Sequence, residues 1–140
     1  MDAPIDSASV VRRYLALLER HDVDGLDSVV ADDLVVMAPD GHVAFSDRAA
    51  WVRAMAHEPF TGQRIEVEDI VCEPGKVAVR YTLTASHTAP AFEVPATGRT
   101  VRTSGTKIYT IEDGRITRIA GHDDVLGLLR QLGVEKLPPA

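Results

Sequence analysis

From Gln63 to Ile119 the apolar residues recur at every second position, a spacing that buries one side of an extended strand, and four long strands are predicted. The second of them, Lys76 to His87, has the clearest faces. Val77, Val79, Tyr81, Leu83, Ala85 and His87 share one side, and Arg80, Thr82, Thr84 and Ser86 share the other. Pro74-Gly75 turns the chain into this strand, and Arg99 to Ile111 and Arg115 to Ala120 are the third and fourth strands. Asp113-Gly114 between those two is the residue pair of a type I′ hairpin turn.

What flanks the strands is helical. A helix from about Val10 to Arg20 carries the stripe Val10, Tyr14, Leu17 and Leu18, with Ser7 or Ser9 able to cap it. Asp24 can cap a short second helix that turns Leu26, Val29 and Val30 inward. Leu34 to Met37 and Val43 to Phe45 read as a small hairpin around Pro39-Asp40-Gly41. Ser46 or Asp47 then caps a third helix, roughly Arg48 to Ala56, with Arg48, Trp51, Val52 and Met55 near one face. After the last strand, His122-Asp123-Asp124 leads into a helix with an apolar stripe of Val125, Leu128, Leu129 and Leu132, and Gly133 falls where a left-handed cap belongs.

Helices at the start, a run of strands and one closing helix predict an α+β fold. The expected unit is a single domain over residues 1–140, with a core of about 10–133 between a loose start, Met1 to Asp6, and the tail Leu137-Pro138-Pro139-Ala140. A curved, mixed or antiparallel sheet would wrap around the N-terminal helices. With only three Phe, three Tyr and one Trp to fill its concave side, an apolar cavity is expected there.

Composition narrows the function classes. Fifteen basic residues against 21 acidic ones give a net charge of -6, whereas nucleic-acid binders draw affinity from clustered Lys and Arg. Nucleic acid is therefore not expected as a partner. Cys72 is the one cysteine, so no disulfide can form within the chain, which fits a reducing cytoplasm. The start MDAPIDSAS lacks a basic and then apolar export signal, and no run of eighteen apolar residues marks a membrane span.

Candidate chemistry gathers around the inward face. His87 ends that face, where desolvation would leave a neutral imidazole able to accept a proton; the other reading is a rim histidine bonded to a loop. Lys107 shares a strand side with Gly105, Tyr109 and Ile111 and could hold an enolate oxygen if that side is concave, or be a solvated Lys if it is not. Tyr81 and Tyr109 offer hydroxyls to a planar ligand, and Phe92 in the loop Thr88 to Gly98 could fold over a pocket mouth. His122 with Asp123 could act as an acid-base pair, and Arg48 could meet an acidic ligand. A metal centre is not expected, because there is no His-x-x-x-His spacing and no set of Cys ligands. No phosphate loop, nucleophile elbow or dinucleotide fingerprint is present, so no cofactor is called for.

Three short stretches resemble the SnoaL-like polyketide cyclases, within the nuclear-transport-factor-2-like fold. They are Pro95-Ala96-Thr97-Gly98-Arg99, Glu112-Asp113-Gly114-Arg115-Ile116, and Asp124 with Gly127-Leu128-Leu129-Arg130-Gln131-Leu132-Gly133, and similarity of pattern runs from about Val10 to Gly133. The resemblance implies a cone-shaped α+β barrel and a small cofactor-free enzyme acting on an aromatic polyketide intermediate of antibiotic-type metabolism. Relatives close a ring by an intramolecular aldol step; others hydroxylate the polyketide. It also implies a homodimer and a hydrophobic aromatic substrate, with Arg48, Trp51, Met55, Tyr81, Leu83, Phe92, Tyr109 and Ile119 around it. This chain departs from the cyclases at one place. Their last-strand Asp falls on Gly121, their Trp on Ala120 and their His on Ile119. Acid-base work would then pass to His87, or to His122 with Asp123, with Lys107 holding the enolate oxygen. A protein that only binds a hydrophobic metabolite is the alternative.

Overall fold

The computed structural model describes residues 6–136; of the expected loose start, Met1 to Asp6, only Asp6 lies within them, and the expected tail Leu137 to Ala140 lies outside. Helix α1, Ser7–Glu19, is capped by Asp6, not by Ser7 or Ser9. The Asp6 carboxylate accepts from the Ala8 amide at 3.1 Å and from the Ser9 hydroxyl at 2.9 Å, because its β-region backbone sets the side chain over the first turn. Ser7 is instead spent on the strand turn, its Oγ accepting from the Gly75 amide at 3.3 Å. The next helical piece, Asp24–Ser28, is a short 3₁₀ helix without a side-chain cap. Asp22, two residues ahead of the expected Asp24, receives the Gly25 amide at 3.1 Å. Leu26 and Val29 point inward as expected.

Strand β1, Val30–Met37, starts four residues earlier than the apolar run suggested, and β2, Val43–Phe45, pairs with it. Helix α2, Arg48–Ala56, is capped by Asp47 through the Ala50 amide at 2.7 Å. The four long strands follow as β3, Phe60–Glu73, β4, Lys76–His87, β5, Thr100–Glu112, and β6, Arg115–Asp123. Asp113 and Gly114 both have positive φ, 50° and 76°, as a type I′ turn requires. Helix α3, Val125–Gln131, closes the chain with Asp124 as its cap.

The six strands form one mixed sheet in the order β2-β1-β6-β5-β4-β3. Only β1 and β6 run parallel, and β2 and β3 are left as edges, so the sheet does not close on itself. Bulges in the β3–β4 and β5–β6 ladders bend the strands, which lets the sheet curve over α1 and α2. On β4 the inward side is Val77, Val79, Tyr81, Ala85 and His87, all buried, and Leu83 is half-buried. The outward side is polar, with Arg80 paired to Asp69 at 2.7 Å and Thr82 bonded to Glu68 at 2.9 Å. Leu26, Leu34, Val30, Val77, Val79 and Ile116 fill the closed end of the core, each worth roughly 1.5–3 kcal/mol of burial. The expected α3 stripe stays outside this cluster: Leu128 and Leu129 are half-buried, and only Leu132, just past the helix, is buried. Val125 at the start of α3 is 39% exposed, because the helix is anchored by Leu132 at its far end. Among the described residues no helix is long and apolar enough to cross a membrane.

Candidate functional site

Between the sheet and the helices lies a cavity of about 150 Å³. Helix α1 contributes Tyr14, Leu15 and Leu18, and α2 contributes Trp51 and Met55. The sheet supplies Val36, Gln63, Ile65, Tyr81, Leu83, Lys107, Tyr109 and Ile119, and Glu58 comes from the junction between α2 and β3. Edge-to-face contacts hold the aromatic walls, Tyr14 with Tyr109 at 5.8 Å and Trp51 with Phe45 at 5.2 Å. The Trp51 indole Nε1 is buried and makes no hydrogen bond.

The polar group at the cavity is built from three neighbouring strands. Tyr81, Gly105 and Asp123 stand in one row across β4, β5 and β6. Because Gly105 has no side chain, the Tyr81 hydroxyl reaches over it and donates to Asp123 Oδ1. A Cβ at position 105 would lie 2.7 Å from the Tyr81 oxygen and against the same carboxylate. Lys107 Nζ donates to the other carboxylate oxygen at 3.2 Å. Gly121 opposite Lys107 is equally constrained, since a Cβ there would sit 2.8 Å from Lys107 Cα and 2.9 Å from Lys107 Cδ, and against the Thr106 carbonyl. A side chain at 121 would force the paired backbone of β5 to shift, which disfavours a carboxylate where the resembling cyclases carry theirs. Two residues later on the same strand, Asp123 carries a carboxylate.

Burial sets the protonation of the surrounding phenols. Desolvation raises the pKa of Tyr81 far above its ordinary value, and the hydrogen bond and charge of Asp123 add to the effect. Tyr81 therefore stays a donor. Tyr109 and Tyr14 are raised too, first by burial; neighbouring phenols and Asp123 add to it for Tyr109, while for Tyr14 the nearby Trp51 indole offsets part of the rise and the Glu58 charge adds to it. The carboxyl of Glu58 is pushed up by burial, with Gln63 and His21 pulling it partly back.

Of the expected site residues, Lys107, Trp51, Met55, Tyr81, Leu83, Tyr109 and Ile119 line this cavity, and Asp123 joins them through Lys107 and Tyr81. Four lie elsewhere. His87 is buried on the expected face but beyond the cavity, where its Nδ1 accepts the Thr97 amide at 3.2 Å and its ring stacks on Phe60 at 5.2 Å. It ties the β4–β5 loop down. Phe92 is 53% exposed, because Phe92 and Glu93 occupy the tip of a tight turn with positive φ between the bridged Ala91 and Val94. Arg48 bonds the Val30 carbonyl at 2.9 Å and pairs with Asp32 at 2.7 Å, away from the cavity. His122 is exposed, and alternation along β6 sends it to the side opposite Asp123, so those two do not form a pair.

The alternation reading passed over Glu58, Gln63 and Tyr14 as site residues. A glycine inside a strand pattern is the signal that points to the polar row, since it marks a close approach of other groups. Glu58 leaves no such mark, because it sits in an aperiodic junction. Among the described residues no three His, Cys, Asp or Glu side chains gather as metal ligands would.

Known proteins share this architecture. AclR of Streptomyces galilaeus, a proposed hydroxylase, is 25% identical, with a TM-score of 0.79 over 94% of this chain and 83% of its own. TsrD of Streptomyces laurentii is 27% identical, with a TM-score of 0.76 over 93% of this chain and 98% of its own. IdmH of Streptomyces antibioticus, a proposed polyketide cyclase, shares the fold at 24% identity and a TM-score of 0.76, over 91% of this chain and 98% of its own. No protein of curated function matches. The sequence profile of the SnoaL-like polyketide cyclases matches residues 8–132, nearly the whole described chain, and the chain belongs to that family.

Proposed function

We propose that this protein is a cofactor-free polyketide-tailoring enzyme that removes a proton from an activated carbon of its substrate and closes a ring through the resulting enolate. One observation supports the reading: an ammonium, Lys107, and a phenol, Tyr81, line an apolar cavity, and both bond the carboxylate of Asp123. Asp123 is the base, and Lys107 stands where it can balance charge developing on the enolate oxygen. Tyr81 orients the carboxylate and, with its pKa raised, does not compete for the proton.

Size defines the substrate further. A cavity of about 150 Å³ holds roughly one benzene ring, well below the 300–1,000 Å³ of pockets that enclose drug-sized ligands. The reacting ring or chain end is enclosed, and the remainder of a larger polyketide projects into solvent. Hydroxylation is the second reading, supported by the likeness to AclR: oxygen would add to the same carbanion as a hydroperoxide, and a two-electron donor such as a thiol pair would reduce that to the alcohol and water.

Oxygen separates the two. With a one-ring diketone that can cyclise, 1-phenylhexane-1,5-dione, ring closure is expected at equal rates in air and under nitrogen. Turnover that stops without oxygen rejects ring closure for hydroxylation. Binding of the diketone without turnover in either atmosphere leaves a metabolite-binding protein.

A further inference from the structure

Glu58 lines the cavity on a backbone held from two sides. Its amide donates to the Met55 carbonyl at 3.3 Å, and the next carbonyl, that of Pro59, accepts from Thr88 at 2.9 Å and Ala89 at 3.3 Å. The backbone at 58 is thus fixed to both α2 and the end of β4. Beyond it lies a second hollow of about 260 Å³, beside Glu19 and His21. The inner cavity and this outer hollow have four residues in common, Leu18, Met55, Glu58 and Gln63. The partition is therefore two apolar side chains, an amide and a carboxyl. Among those four only the carboxyl can give up a proton and take it back.

We propose that Glu58 is the general acid of ring closure, delivering a proton to the oxygen of the attacked carbonyl and recovering one from the outer hollow, where His21 stands. This rests on the acid-base reading of Asp123. The step balances without a further reagent. A C–H bond breaks and its proton goes to Asp123, the enolate carbon bonds to the second carbonyl carbon, and that carbonyl's oxygen takes the proton of Glu58. Asp123, partly exposed, returns its proton to water. Geometry separates the two roles: Asp123 is on β6, whereas Gln63 beside Glu58 is on β3, three places along the sheet. Burial favours the protonated form of Glu58, with Tyr14 on the cavity side and His21 and Gln63 as the groups that oppose the shift.

The test splits the two half-steps. In D₂O, wild type is expected both to exchange the methyl-ketone hydrogens of 1-phenylhexane-1,5-dione and to form its cyclic aldol. Glu58→Gln should keep the exchange within about twofold and lose closure by about 100-fold or more. Its thermal midpoint at neutral pH should not fall. A carboxyl with a raised folded pKa stabilises the fold fully below its unfolded value and loses that contribution as pH rises through the folded value, so an amide in its place escapes the cost of burying the charge. If Glu58→Gln fails to fold, Glu58→Asp retracts the carboxyl and should cost closure at least about tenfold with exchange retained. Closure kept by a folded Glu58→Gln overturns the assignment, as does exchange lost together with closure. Wild type that exchanges nothing rejects the Asp123 reading itself, and this proposal with it.

Discussion

Asp123→Asn is expected to slow ring closure by about 10²–10⁴-fold while the protein stays folded. Asparagine has the same shape, and its Oδ1 can still accept from Tyr81. It has no proton affinity to offer a carbon acid and no charge to set against Lys107. Stability should move little, because the Lys107–Asp123 pair is partly open to water, with side chains 26% and 39% exposed, and such pairs contribute only about 0–1 kcal/mol. Closure of the phenyl diketone and a urea unfolding curve check the two halves. A folded Asp123→Asn that closes the ring within tenfold of wild type removes Asp123 from the base role.

Gly121→Asp, which would restore the carboxylate of the resembling cyclases, is expected to damage the protein. The new Cβ would meet the Lys107 Cα at 2.8 Å and the Thr106 carbonyl, and backbone on a paired strand cannot swing aside as a side-chain tip can. Overpacking of this kind costs about 1–3 kcal/mol. The Lys107 side chain, whose Cδ lies 2.9 Å from the same point, would also be pushed from its contact with Asp123. Urea unfolding should show the loss of stability, and Gly121→Asp combined with Asp123→Asn should recover no activity. A double variant as stable as wild type that closes the ring would show that position 121 can hold the base after all.

Much of this architecture could be read from residue order. Alternation along Lys76–His87 gave the buried face of β4, Asp113-Gly114 gave the hairpin, and Asp47 gave the start of α2. These are local signals, decided by residues within a few positions of one another. The site was less legible because partners from distant strands decide it. His122-Asp123-Asp124 reads as a capping cluster, yet β6 continues through Asp123 because Thr106 and Gly105 pair with His122 and Asp123, and the Asp124 amide donates to the Ser104 carbonyl at 2.8 Å. Only Asp124 caps. That register turns Asp123 inward and His122 out. Phe92 and Glu58 lie where no period applies, so neither the outward turn of the first nor the inward placement of the second could be read from spacing.

A crystal structure with 1-phenylbutane-1,3-dione bound tests most directly whether Asp123 is the base. The account predicts the phenyl ring inside the cavity formed by Trp51, Met55 and Tyr109, the carbon between the carbonyls about 3–3.5 Å from an Asp123 oxygen, and a carbonyl oxygen turned to Lys107 Nζ. A ligand seated outside that cavity, or inside it with the acidic carbon out of reach of Asp123, would contradict it.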